Sequence, residues 1–223
     1  MIHSQVFGSE SDLYNFFWLD PDKKVFVLQN KYFKNTNKTF ISAGYLIDTS
    51  SNFQDVKGFG LTVSHFISET VGIELESEFY SHKDNDTLNL LLKIVGKATP
   101  FIRRPKSYVG INYLWVPFYG KINTFNKIIY LDWGFGAGLG SYKTESNAKT
   151  VAFTNNRDNF DKESYISAKF KTFFKINVNQ KYQIKLSYDK KVFSAPGPKS
   201  TDGTQNSSIR NNDSFTISFG FGF

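Results

Sequence analysis

The last eleven residues, D-S-F-T-I-S-F-G-F-G-F from Asp213 to Phe223, alternate with a period of two. Phe215, Ile217, Phe219, Phe221 and Phe223 share one face of an extended strand, and Thr216, Ser218, Gly220 and Gly222 share the other. A soluble sheet must cover so wholly apolar a face with a second layer. A sheet closed on itself in lipid can leave it exposed, because closure pairs every backbone group.

The same polarity recurs upstream. Phe40 to Asp48 sets Ile41, Ala43, Tyr45 and Ile47 against Ser42 and Gly44. Gly58 to Ile67 sets Phe59, Leu61, Val63 and Ile67 against Gly60, Thr62 and Ser64, and Thr70 to Tyr80 sets Val71, Ile73, Leu75 and Phe79 against Gly72, Glu74, Glu76 and Glu78. Ser107 to Phe118, Lys127 to Gly140, Ser164 to Lys175 and Lys181 to Phe193 repeat the pattern, so that with the last strand the count is eight. Carboxylates on one face and hydrocarbon on the other suit a wet lumen inside a lipid-facing wall. The predicted fold is therefore all-β: an eight-stranded antiparallel transmembrane β-barrel over residues 38–223.

The connections agree with this reading. They run long, short, long, short along the chain: 49–57, 68–69, 82–106, 119–126, 141–163, 177–180 and 194–212. Such asymmetry belongs to barrels with short periplasmic turns and longer outside loops, and it puts both chain ends on the periplasmic side. Residues 1–37 form a separate periplasmic segment in this reading. Ser9 to Asp20 is a short helix, capped by Ser9 or Ser11 and stopped by Pro21, and Val25 to Phe33 is a strand outside the count of eight, placed in the periplasm or in the barrel mouth. A second helix starts at Asp86 as its cap, carries Leu88, Leu91, Leu92 and Val95 on one face and ends at Gly96; with Leu90 and Ile94 added, it is apolar on nearly all sides and predicted to be buried.

Composition adds little that conflicts. Of 223 residues, 24 are Phe and 12 Tyr, there is no Cys, and no run of about 18 apolar residues offers a membrane helix. Mean hydropathy is −0.36, as expected where lumen faces and loops dilute the lipid face. The first ten residues show no basic and apolar export signal, so a mature form is expected. The net charge of +7 is scattered among Phe-rich strands, which argues for anionic lipid headgroups and against nucleic acid.

W-V-P-F-Y-G-K at Trp115 to Lys121, Y-L-D-W-G-F-G-A-G around Asp132 and V-L-Q-N-K-Y-F at Val27 to Phe33 resemble the outer-membrane β-barrel domain family of myxobacteria-type and predatory bacteria. The resemblance implies an integral outer-membrane, porin-like barrel and brings no catalytic signature. The terminal Phe223, with Phe215, Phe219 and Phe221, resembles the assembly signal read by the barrel assembly machinery.

Several motifs are weaker than they look. Gly134, Gly136, Gly138 and Gly140 miss the G-x-G-x-x-G spacing and open no helix; they mark a strand face without side chains, leaving room for a bulky neighbour. Glu74, Glu76, Glu78 and Asp132 could act as acid and base, but pairing with Lys169, Lys171 and Lys185, beside Asp189, is favoured, since an eight-stranded lumen is just wide enough for side chains to fill. His3, His65 and His82 show no metal-ligand spacing, and Asp84-Asn85-Asp86 lacks the rest of a calcium loop. His65 faces lipid, as in an outer-membrane lipid A deacylase, yet Ser64 faces inward.

Function is read as a non-catalytic, porin-like or lipid-organising barrel with no cofactor and no metal. Membrane lipid is the expected partner, and Leu13, Phe16, Phe17 and Trp18 are the candidate contact with lipid or with further copies in a homo-oligomer. A lipid-modifying acyl hydrolase or transferase and a soluble lipocalin-like barrel are the alternatives.

Overall fold

A computed structural model describes residues 31–95, 100–124, 127–151, 159–200, 202 and 204–223. The elements are β1 (Lys38–Asp48), β2 (Gln54–Phe66), β3 (Val71–Asp84), α1 (Asp86–Val95), β4 (Arg103–Thr124), β5 (Lys127–Ser146), β6 (Asp161–Asn177), β7 (Tyr182–Pro196) and β8 (Ser207–Gly222). Each strand pairs antiparallel with its sequence neighbour, and β8 returns to β1, so these strands form a closed barrel. At the closing seam Phe40 faces Gly222 and Asp48 faces Ser214. Thr39 and Phe223 exchange both backbone hydrogen bonds at 3.0 Å, which ties the last residue into the ring.

Closure satisfies the ladder, and the alternation decides the faces. Ile41, Phe59, Leu75, Ile111, Leu139, Phe170, Leu186 and Phe219 are all exposed on the outer wall, while Ser42, Thr62, Glu74, Asn112, Lys171, Ser187 and Ser218 are buried inside. The outer wall carries an aromatic cluster over β4, β5 and β6. Phe118 stacks on Trp133 with centroids 5.1 Å apart, and Trp133 stacks on Phe174 at 5.4 Å. Such rings suit the boundary between hydrocarbon and headgroups.

The strands run further than their alternation alone suggests. β4 continues six residues past the expected end at Phe118, and β5 six past Gly140, to Thr124 and Ser146. For β4 the reason lies in two prolines. Pro105 and Pro117 lack the N–H that a ladder needs, and the β4–β5 register shifts beside each of them, between Pro105 and Ser107 and between Trp115 and Phe118. After the second bulge Phe118 faces outward like Trp115, so the strict alternation breaks while the strand goes on. The connection 119–126 shrinks accordingly to 125–126.

The turns are built by side chains. Ser68 Oγ accepts from Thr70 N at 3.3 Å and Val71 N at 3.1 Å, and Asn179 Oδ1 accepts from Lys181 N at 2.8 Å and Tyr182 N at 2.7 Å. The outer connections, 49–53, 85–102, 147–160 and 197–206, are longer.

Three expectations change. Lys31–Phe33 are not strand, and the compact barrel unit begins at Phe33, so Phe33–Asn37 belong with the barrel rather than with an N-terminal segment. Asn85, not Asp86, caps α1: its Oδ1 accepts from Leu88 N at 3.0 Å. Of α1's apolar residues Leu88 is buried, but Leu90 and Ile94 are exposed, so the helix buries one side only. The helix over Ser9 to Asp20, with Leu13, Phe16, Phe17 and Trp18, and the start of the strand at Val25 lie outside the described residues, as does Gly96.

The glycine stripe has a packing cause. A Cβ on Gly140 would lie 2.6 Å from the Tyr108 ring, one on Gly110 would meet the Tyr108 hydroxyl at 2.2 Å, and one on Gly134 would meet Phe173 at 2.6 Å. Large rings therefore lie flat against a bare wall. Gly140→Val should displace Tyr108 and cost about 1–3 kcal/mol. Gly120, with only the Leu131 carbonyl oxygen within 4 Å of such a Cβ, should accept Ala at a cost below about 0.5 kcal/mol. Urea unfolding in detergent micelles measures both.

Candidate functional site

The lumen is layered. Toward the outer loops lies an apolar layer of Leu46, Val56, Tyr80, Tyr108, Tyr142, Phe193 and Ala195, and toward the periplasmic turns a second one of Phe40, Phe66, Leu114, Val116 and Phe173. Charged side chains fill the space between. Their order follows from period two: Glu74, Glu76 and Glu78 descend one face of β3, Lys169 and Lys171 one face of β6, and Lys185, Asp189 and Lys191 one face of β7.

A charge in this position loses its water and must find a partner. Lys171 Nζ donates to Glu74 Oε1 at 2.6 Å and Glu76 Oε1 at 2.9 Å, and Lys169 Nζ to Glu76 Oε2 at 2.6 Å and Glu78 Oε1 at 2.8 Å. Lys185 Nζ donates to Glu74 Oε2 at 2.7 Å, and Lys191 Nζ lies 2.8 Å from Glu78 Oε2. Asp189 Oδ1 stands 3.4 Å from Lys169 and 3.5 Å from Lys171. Four ammonium groups thus face four carboxylates. Ser64 and Asn112 donate to Glu74, Asn112 also to Glu76 and the Tyr80 hydroxyl to Glu78, which uses up further lone pairs.

The aromatic layers close over the cations. Lys169 Nζ sits 4.9 Å from the centre of the Tyr108 ring, Lys191 Nζ 5.6 Å from Tyr80, and Lys185 Nζ 5.9 Å from Phe173.

Asp132 does not join this cluster. It pairs with Lys175 Nζ at 2.8 Å below the periplasmic apolar layer, where Asn35 donates to Asp132 at 3.3 Å and accepts from Lys175. Lys175 lies in phase with Lys169 and Lys171 and Lys191 in phase with Asp189, so the alternation already marked both as inward. Asn35 carried no such mark, because it precedes the first regular strand.

The remaining candidates resolve locally. Glu76, Glu78 and Asp189 bring carboxylate oxygens within 4.8 Å of one another, and Lys169 Nζ stands among them where a cation would bind. His65 is on the outer wall with Nδ1 3.0 Å from Thr39 Oγ1, whereas Ser64 points inward to Glu74. Asp84 accepts from Gln54 at 2.7 Å and lies 3.6 Å from Arg104. Phe215, Phe219, Phe221 and Phe223 all face outward on the closing strand.

Among the described residues Glu74 is the sole carboxylate in contact with Lys185. Glu74→Ala should leave that ammonium buried and unpaired and lower stability by about 3–5 kcal/mol. Adding Lys185→Met should restore part of the loss, a non-additivity that a double-mutant cycle by urea unfolding reads directly.

No family model matches the chain, and no curated protein matches it. Solved structures do. The N-terminal β-barrel domain of Pseudomonas aeruginosa OprF aligns over 84% of this chain and 98% of its own, with a TM-score of 0.50 at 13% identity. Neisserial surface protein A aligns over 83% of this chain and 94% of its own (TM-score 0.44, 13% identity), and outer membrane protein OprG from Pseudomonas aeruginosa over 85% and 97% (TM-score 0.43, 11% identity). The chain has the fold of the eight-stranded outer-membrane barrels, and its apolar outer wall fits the integral outer-membrane location read from the sequence.

Proposed function

We propose that this protein is a closed, non-conducting and non-catalytic outer-membrane barrel that works through its lipid-facing wall, organising the lipids around it. The observation that carries this reading is the filled lumen. Between two apolar layers, the charge cluster leaves beside it a cavity of about 10 Å³, bordered by Thr62, Glu76, Glu78, Lys171 and Lys185, which is room for about one water. A solute path would have to break several buried ion pairs at once.

The outer wall supports the lipid role. Small residues interrupt the apolar belt at two places. One crevice of about 450 Å³ lies over Gly136 and Ala137 between Trp115, Phe135 and Phe170; another of about 430 Å³ lies over Ala43 and Gly44 between Tyr45, Phe59 and Phe219. Each suits an acyl chain. Just beyond the belt on the outer-loop side, Lys57, Lys83, Lys143 and Lys162 are exposed on outward positions and make no ion pair among the described residues. Anionic headgroups are the complement of such a ring. Nothing in the placement of His65 and Ser64 on opposite faces favours acyl hydrolysis.

Planar-bilayer recording together with lipid analysis tests the proposal. Purified protein should show no stable conductance steps, and it should carry anionic lipid through purification that a variant with Lys57, Lys83, Lys143 and Lys162 changed to Gln loses. Large single-barrel steps would refute the closed lumen, and unchanged lipid retention by the variant would refute the headgroup ring.

A further inference from the structure

The outer mouth of the barrel holds a cleft that the lipid-facing reading does not use. It measures about 310 Å³ and is roofed on one side by Ser51, Asn52 and Phe53 of the first outer loop. Tyr142 and Phe193 form its apolar floor, and Asp48, Arg210 and Asn212 supply its polar wall. That volume is at the low end for ligand sites, enough for one small molecule.

Two polar groups in this wall are left over. Arg210 makes no ion pair among the described residues, and its Nε is buried without a hydrogen-bond partner. Asn212 is only 5% exposed; its Nδ2 donates to Asp48, but its Oδ1 is buried without a donor. Burying unpaired polar atoms costs on the order of 1–3 kcal/mol each, so a ligand that completes both gains from the pairing. The neighbouring cation is already satisfied, since Arg103 Nε donates to Glu163 at 3.1 Å and its Nη2 to the Pro196 carbonyl at 2.7 Å. Asp48 is likewise engaged, accepting from Ser50 N at 2.8 Å as well as from Asn212.

The free groups specify the ligand's chemistry. Arg210 offers a guanidinium to an anion. Asn212 Oδ1 wants a hydroxyl or amide donor, and Ser51, Asn52 and Asn211 add further hydroxyl and amide groups at the rim. Tyr142 and Phe193, nearly fully buried, give the floor a small apolar patch against which the C–H face of a ring can rest. A cationic ligand would meet Arg103 and Arg210. We propose that this cleft binds an acidic sugar unit, a hexose ring carrying a carboxylate or a phosphate, from the outer side of the barrel.

Isothermal titration of the full chain in detergent tests this, with glucuronate, glucose 6-phosphate, glucose and acetate as probes. At least one acidic sugar should bind about tenfold or more tightly than either glucose or acetate, the pattern of a site that reads charge and ring together. Arg210→Gln should abolish the preference over glucose. Ser51→Trp, which fills the cleft from a loop and leaves the barrel wall intact, should abolish binding altogether and decides the matter if the Arg210 variant does not fold. No binding of either acidic sugar at millimolar concentration, equal binding of glucose or acetate, or full binding by Ser51→Trp would each overturn the assignment. Conductance and lipid retention are unaffected by any of these outcomes, so the proposal stands or falls separately from the closed, lipid-organising barrel.

Discussion

A lysine on the inner face of a narrow barrel cannot reach bulk water, and its ion pairs set what the rest of the structure must do. Lys171 Nζ bridges Glu74 and Glu76, Lys169 Nζ bridges Glu76 and Glu78, and both span from β6 to β3 across the lumen. These bridges act as spokes. They fix the distance between opposite walls, and they demand low-polarity caps to keep water from competing for them. The two aromatic layers provide those caps, and the rings that form them, Tyr108 and Phe173, fit only because Gly110, Gly134 and Gly140 leave the wall bare. Cations, rings and glycines are thus one arrangement, in which the removal of any member disturbs the others.

Outside, the opposite demand holds. Phe59, Leu75, Ile111, Phe170 and Phe219 are exposed on the outside of the barrel, and in water such a surface would aggregate. In hydrocarbon it costs nothing, while closing the ladder removes the free strand edges. The polarity of the molecule is inverted relative to a soluble barrel: charge at the centre, hydrocarbon at the rim.

Much of this was legible in the sequence because a period of two assigns a side to each residue. The eight strands, the inward Glu74–Glu76–Glu78 and Lys169–Lys171 rows and the outward His65 follow from counting by two. Alternation carries no information where the strand bulges or the chain leaves the sheet. At Pro117 the bulge puts Trp115 and Phe118 on one face, three positions apart, so the far end of β4 is invisible to alternation. Asn35 reaches Asp132 from outside any strand, and Asn85 rather than Asp86 caps α1 through loop geometry that residue type alone does not fix. The mouth cleft is harder still. Asp48, Arg210 and Tyr142 come from three strands and the first loop closes over them, so no local pattern links them.

The partners in the charge layer are far apart along the chain. Lys169 is 93 residues from Glu76, Lys171 is 97 from Glu74, and Lys185 is 111 from Glu74. Until β6 and β7 have arrived, the three carboxylates of β3 have no cation to meet, and a first hairpin carrying them could not cross hydrocarbon by itself. The charge layer is therefore completed only by the C-terminal half, and the carboxylates of β3 are the side chains that wait longest for their partners.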